Sequence, residues 1–222
     1  MINRLIAIGD IHGCYDPLRE LIEGMIIIRK SDRIILLGDY IDRGYDCKAV
    51  VDYILDLQEK NYDIIPLLGN HELMLLDSVR DERNLSCWFM NGGYETLVSF
   101  SVDSPGEMEK KYLDFFSSLR YYFLMDQFIF VHAGFNNEIS DPLEDKYHMV
   151  WSRRENYSHP FFIGKLMVHG HTPVPLSVCR DMNLSGSMVM NIDTGCVYDE
   201  WGGYGYLTAF ELFTRELISV KA

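Results

Sequence analysis

Five short polar clusters punctuate this chain, and each follows an apolar, strand-like run. They are Gly9-Asp10-Ile11-His12-Gly13, Gly38-Asp39-Tyr40-Ile41-Asp42-Arg43-Gly44, Gly69-Asn70-His71-Glu72, His132-Ala133-Gly134 and His169-Gly170-His171-Thr172. A fold that accepts this sequence has to bring Asp, His and Asn to the ends of at least five strands. In α/β sheets that position, outside the carboxyl ends of the strands, is where ligands bind.

The segments between the clusters support such a sheet. Residues 5–8 are continuously apolar, as in a strand covered on both faces. Residues 15–25 repeat Leu18, Leu21, Ile22 and Met25 at helical spacing, with Asp16-Pro17 read as an N-cap followed by proline at the first helical position. A second strand is expected over 34–37, a helix over 49–57 with Val50, Ile54 and Leu57 on one face, a third strand over 64–68 and a third helix from 72 to 79. Strand, polar loop and helix thus recur three times, the signature of a largely parallel sheet. Beyond this the pattern changes. Residues 87–100 and 108–119 read as helices flanking a turn at 103–106. Strands are expected over 128–131, 166–168, 188–192 and 206–212, with fewer helices between them. Gly202-Gly203-Tyr204-Gly205 reads as a hairpin turn. The expectation is a second, mixed sheet packed on the first, in a single domain spanning 1–222. Residues 84–125 would form a lid or wall over the site.

Composition narrows the partners. Net charge is −13, from 33 acidic and 20 basic residues. Such a surface repels phosphate backbones, so nucleic acid is not an expected general partner. The five cysteines form no C-x-x-C pair and leave an odd one over, which points to reduced thiols rather than a disulfide framework. No apolar run is long enough to span a bilayer, and none resembles a signal peptide. A cytoplasmic protein without membrane contact is expected. The sequence does not fix the oligomeric state, and a monomer is the working expectation.

The clusters carry metal chemistry. Asp10 and His12 are two apart, so at an extended strand end both face the same side. Asp39 follows the neighbouring strand and can bridge two ions, Asn70 offers an amide oxygen, and His132 and His171 offer imidazoles. Oxygen and nitrogen donors without thiolate suit manganese, iron or zinc, with manganese the first choice. Two such ions can clamp the attacking and leaving oxygens of an in-line displacement and lower the pKa of a bridging water. Taken singly, most of the clusters are more simply a turn, a cap or a satisfied histidine; Gly69-Asn70-His71-Glu72 is more specific, because Asn-His is a poor choice for a merely structural turn. Together, with five of the seven histidines inside them, they are not. His148 and His159 lie outside and read as surface residues. His169 faces the pocket without being assigned as a ligand. There is no G-x-x-x-x-G-K-[ST], which argues against a nucleotide-driven motor.

With these residues in view the chain resembles the calcineurin-like metallophosphoesterases, and within them the bacterial and phage-type Ser/Thr phosphoprotein phosphatases. The likeness runs from Gly9 to Gly195 and includes Trp88-Phe89-Met90-Asn91-Gly92-Gly93, Trp151-Ser152-Arg153 and Ile192-Asp193-Thr194-Gly195. The resemblance implies a four-layer α/β/β/α sandwich of two mixed sheets. It implies one ion on Asp10, His12 and Asp39 and a second on Asp39, Asn70, His132 and His171. It also implies a His71–Asp42 pair whose histidine protonates the leaving group, and phosphoryl oxygens held by Arg43, Arg153 and Asn70. Arg153 is preferred to Arg154 because it aligns with the family's arginine after Trp.

Three activities share this core. Nucleases and phosphodiesterases of the superfamily usually carry a second histidine where this chain has Pro173. Symmetrical dinucleoside tetraphosphatases share the first cluster and His132-Ala133-Gly134, but typically lack an equivalent of Asp42 and have Asp at the position of Glu72. Phage-type phosphatases often have Asp in place of Gly134. The leading expectation is hydrolysis of phosphate monoesters, foremost phosphoserine and phosphothreonine in proteins, by hydroxide held between two metals. Symmetrical bis(5'-nucleosyl)-tetraphosphatase is the alternative. A catalytically dead phosphoprotein-binding scaffold is disfavoured, because no expected position has been lost.

Overall fold

A computed structural model describes residues 2–154 and 156–222. The first sheet has the order β3-β2-β1-β8-β9 and the second β4-β5-β6-β7. The first contains β1 (Arg4–Ile8), β2 (Asp32–Leu36), β3 (Asp63–Pro66), β8 (Tyr206–Glu211) and β9 (Glu216–Lys221). The second contains β4 (Tyr122–Met125), β5 (Phe128–Val131), β6 (Leu166–His169) and β7 (Val189–Asn191). β1–β2, β2–β3, β5–β6 and β6–β7 are parallel, while β8 and β4 enter antiparallel, so both sheets are mixed. The expected two-sheet α/β architecture is the observed one.

Residue alternation decides which face each strand offers to which layer. Leu5 and Ala7 of β1, Ile35 of β2 with Leu37 just beyond it, and Phe128 and Phe130 of β5 meet in the core between the sheets. Their neighbours Ile6, Ile8, Ile34 and Leu36 face the helices outside the first sheet. Ile129 and Val131 face outward from the second, against Phe135, Met149 and Phe162. Because both faces of the central strands are covered, a one-residue slip would exchange whole layers, and the register is strongly specified.

The helices are α1 (Tyr15–Arg19), running into a π-helix over Glu20–Ile26, then α2 (Cys47–Glu59), α3 (Asn70–Arg80), α4 (Leu85–Phe89), α5 (Gly93–Phe100), α6 (Lys110–Ser118), α7 (Lys146–Trp151) and α8 (Leu176–Leu184). Several differ from the sequence expectation. α1 starts at Tyr15 with no side-chain capping bond, so Asp16 is not an N-cap; it lies with Pro17 in the first turn, where amides lack intrahelical partners anyway. The single helix expected over 87–100 is two, because Gly92 takes φ 96 and turns its carbonyl to accept the Arg43 N–H at 3.2 Å. α3 begins two residues early, which places Asn70 and His71 in its first turn rather than in a loop.

The stretch 84–125 is a wall rather than a lid: Trp88, Phe100, Tyr112 and Phe116 are fully or almost fully buried in the helical core. It ends in a strand, β4, which the sequence pattern does not predict, and the same holds for α7, α8 and β9. Residues 202–205 are no hairpin turn. They lead into β8 from β7 in the other sheet, and the hairpin of this region is β8–β9, turning through Arg215 at φ 59. Among the described residues no helix is long and apolar enough to cross a membrane.

Phe130 is buried between the sheets. Phe130→Ala should cost about 3–5 kcal/mol of stability, read as a lower urea midpoint with unchanged slope. A loss under about 1 kcal/mol would mean that the inter-sheet core is not the packed layer described.

Candidate active site

The clusters converge at the carboxyl ends of β1, β2, β3, β5 and β6. Reaching that edge bends the chain. His12 (φ 46), Asp39 (φ 52), Asp42 (φ 70), Arg43 (φ 69) and His171 (φ 71) all adopt left-handed backbone conformations. Each such non-glycine residue costs on the order of 1–3 kcal/mol and persists only where its surroundings hold it. Here the hold is visible. The Ile11 and His12 amides both donate to the Asp39 carbonyl, at 3.0 and 2.8 Å. The buried Glu72 carboxylate accepts from the amides of Asp39 (3.0 Å), Tyr40 (2.7 Å) and Gly69 (3.0 Å). One carboxylate at the start of α3 thus ties the second and third clusters together.

Asp39 is the centre of the arrangement. Its Oδ2 lies 3.6 Å from His12 Nε2, 3.9 Å from His71 Nε2 and 3.5 Å from His132 Nε2. Two sets of donor atoms share it: Asp39 with His12 and His71, and Asp39 with His132 and His171, each set with its atoms within 4.8 Å of one another. Asn70 joins the second set, its Oδ1 being 3.0 Å from His132 Nε2 and 2.9 Å from His171 Nδ1.

The tautomers follow from the hydrogen bonds. His132 Nδ1 donates to the Leu37 carbonyl at 3.0 Å and His12 Nδ1 to the Ile41 carbonyl at 2.8 Å. Each ring therefore turns an Nε2 lone pair toward Asp39. His132 Nε2 then faces Asn70 Oδ1 as one acceptor against another, a repulsion that a cation between them would relieve.

Asp10 stands apart from both sets. Its Oδ2 accepts the His171 amide at 3.0 Å, and its Oδ1 is the one buried carboxylate oxygen without a protein partner among the described residues. Gly170 is what lets it in, since a Cβ there would overlap that oxygen. Asp193, from the Ile192–Gly195 stretch, is buried beside it.

The electrostatics are those of a crowded anionic pocket. Burial raises Asp10 well above the carboxylate range, with Asp193 and Asp39 adding to the effect. Burial pushes Asp193 up to about 7, and burial with the Asp39 charge pushes Glu72 up to about 8. Burial alone would raise Asp39 too, but His132, His71, His12 and His171 around it pull it well below its usual value. Burial lowers His171 to about 3 and lowers His132 and His12, which keeps these rings neutral and their lone pairs open. Neutral imidazoles, an unpartnered carboxylate oxygen, opposed acceptors and mutually repelling carboxylates are what a pair of divalent cations fits.

Beside the donor sets lies a hydrogen-bonded histidine–carboxylate pair. His71 Nδ1 donates to Asp42 Oδ2 at 2.6 Å. Asp42 also accepts from Trp88 Nε1 at 2.9 Å and from Thr96 Oγ1 at 2.6 Å. Burial raises the Asp42 carboxyl, while the donors from His71, Thr96 and Trp88 counter it. Sequence reasoning gave Trp88, Thr96, Glu72 and Asp193 no chemical role. Trp88 and Asp193 lay in stretches of resemblance, Glu72 closed the third cluster and Thr96 carried no signal, because what each does depends on a partner distant in the chain.

The arginines differ. Arg43 is in the site, with Nη1 2.8 Å from His12 Nε2 and its guanidinium over the Tyr198 ring at 5.8 Å. It occupies the Nε2 lone pair of His12, the atom that a cation there would use. Arg153 is exposed near His171, whose pKa its charge helps to lower, whereas Arg154 is paired with Glu138 at 2.9 Å. Trp151 packs edge-on to His171 at 6.1 Å. His148 lies away from the donor sets, paired with Asp145. His169 is buried, and burial lowers it to about 4; its Nδ1 lies 3.1 Å from the Gly170 carbonyl, and it belongs to neither set. Gly134 makes room for the Tyr157 hydroxyl, which a Cβ there would overlap.

Comparison with known proteins agrees with this geometry. The model of the calcineurin-like phosphoesterase family matches residues 3–197. A symmetrical bis(5'-nucleosyl)-tetraphosphatase of Legionella pneumophila is 46% identical over 70 residues, 32% of this chain and 24% of that protein. One from Nitrosospira multiformis is 31% identical over 130 residues, 59% of this chain and 43% of that protein. The matches thus span less than half of these relatives' length. A crystal structure provisionally described as a diadenosine tetraphosphatase superposes over 100% of this chain and 96% of its own, with TM-score 0.66 at 20% identity, which is a likeness of fold.

Asp39→Asn should lose both cations together, because the same carboxylate serves both donor sets. Elemental analysis of protein loaded with manganese would show far less than the wild-type content. Retention of the full metal content would exclude the bridge.

Proposed function

The chain belongs to the calcineurin-like phosphoesterase family of metal-dependent hydrolases, and on that premise we propose that it cleaves the central anhydride of a dinucleoside tetraphosphate into two nucleoside diphosphates. The hydrolase reading rests above all on one observation, the buried Asp39 carboxylate shared by two donor sets. The substrate reading rests on the likeness to two symmetrical tetraphosphatases. It displaces phosphoprotein from first place.

Two divalent cations at this centre, manganese first and iron or zinc as alternatives, supply charge neutralisation and an activated water. His12 and Asp39 would hold one, with Asp10, which lies outside the compact donor sets, reaching it through its unpartnered Oδ1, and Asp39, Asn70, His132 and His171 would hold the other. The chain's own groups do the rest. Arg43 and Arg153 would offer guanidinium forks to phosphoryl oxygens, with the Asn70 amide as a further donor. Oxygen from water bonds to one of the two central phosphorus atoms, and the bond from that phosphorus to the bridging oxygen breaks. The electron pair stays on the departing nucleoside diphosphate. Such a leaving group is stable as an anion, so positioning and charge neutralisation dominate.

The His71–Asp42 pair favours a second reading. An alkoxide leaving from phosphoserine needs a proton, and His71, oriented by Asp42, Trp88 and Thr96, is placed to give one. Phosphate monoesters are therefore the second substrate class.

With manganese added, diadenosine tetraphosphate should yield ADP alone, at a higher kcat/KM than a phosphoserine peptide. Formation of AMP and ATP, or efficient turnover of the peptide alone, would overturn the order of the two readings. On monoesters, His71→Asn should lose about 10²–10⁴-fold on alkyl leaving groups and much less on nitrophenyl phosphate. Equal losses on both would remove the acid role.

A further inference from the structure

A cleft of about 660 Å³ opens beside Arg43, within the range of small-molecule sites. Its inner end belongs to the active site: Arg43 reaches His12 and lies over Tyr198. Its outer wall is aromatic. Tyr198 and Trp201 stack with ring centroids 4.5 Å apart and 14° between planes, and Tyr204 lies perpendicular to Trp201 at 5.8 Å. Trp201 nevertheless remains 56% exposed, and Tyr45, also lining the cleft, is 85% exposed. Arg43, over Tyr198, is the one basic side chain of the lining among the described residues, while Asp199 and Glu200 directly precede Trp201 in the chain and Asp16 and Asp46 also line the cleft.

This order of groups constrains the occupant. A phosphoryl group is attracted at the Arg43 end and repelled beyond it. The outer end suits something uncharged, flat and rich in hydrogen-bond donors, which can stack on a braced indole and donate to carboxylates. A nucleoside attached to a phosphate has that order of parts: phosphate, ribose hydroxyls, then base.

We propose that this cleft seats the nucleoside of one half of the substrate, with its base on Trp201 and its ribose hydroxyls donating to Asp199 or Glu200. The proposal rests on the dinucleotide reading for its substrate class and adds the residues that select the nucleoside. A cationic peptide segment is the competing occupant, and the aromatic platform at the end of a phosphate-to-base sequence favours the nucleoside.

The test uses manganese-loaded enzyme hydrolysing nitrophenyl phosphate, with ADP and inorganic phosphate as inhibitors. Trp201→Ala should raise the ADP inhibition constant about tenfold, the scale of one lost base–aromatic stack, and Trp201→Phe should restore most of it. Phosphate inhibition and nitrophenyl phosphate turnover should stay as in the wild type. ADP that inhibits no better than phosphate, or equal changes for both inhibitors, would overturn the seat. So would a variant that weakens a basic phosphopeptide and leaves ADP untouched. The substrate reading fails separately: wild-type enzyme showing the predicted ADP pattern but releasing no ADP from diadenosine tetraphosphate would keep the nucleoside seat and lose the tetraphosphatase.

Discussion

The burial of one carboxylate governs this site. Asp39 is almost fully removed from water in a left-handed turn, with imidazoles from three other segments converging on it. An isolated buried carboxylate would be costly and would take up a proton. Any charge on the surrounding histidines pulls Asp39 below its usual range, burial disfavours that charge on His132, and the His71 amide donates to the carboxylate at 3.2 Å. The result is a preorganised anion amid neutral donors, and its natural complement is a multivalent cation. The second sheet has to be where it is because His132 and His171 come from it, while His12 and Asp39 come from the first.

The helical wall is part of this logic. Trp88 is buried in the core around α4 and α5, yet its indole N–H is spent on Asp42, not on packing alone. Thr96, one turn into α5, donates to the same carboxylate and accepts the Asp42 amide at 2.9 Å. The segment therefore orients the His71–Asp42 pair from behind, and a rigid packed wall does this better than a mobile lid. Glu72 plays the corresponding part for the backbone, holding four amides so that the strained turn at Asp39 keeps its shape. Arg43 joins the metal site to the outer cleft, since one guanidinium touches His12 and Tyr198 at once.

Much of this was legible in the linear chain. The alternation of Ile129 and Val131 with Phe128 and Phe130, and the helical spacing of Leu18, Leu21 and Ile22, placed strands and helices in the right order because burial imposes those periods. Elements with weaker contrast were missed. β4 is an edge strand and β9 is flanked by charge, so neither shows a clean pattern, and α7 is too short to repeat an apolar face. The break at Gly92 escaped notice because its cause, the amide of Arg43, lies some fifty residues away.

What the sequence determined by itself was which side chains gather and at what kind of place. Asp, His and Asn that close apolar runs must cluster wherever parallel strands end together. It could not say which of them share an ion, that Asp10 sits beside Asp193 instead of within a donor set, or that Trp88 and Thr96 serve Asp42. Those relations depend on angstrom-scale distances between segments brought together only when two sheets pack, and no local spacing encodes a distance across a core.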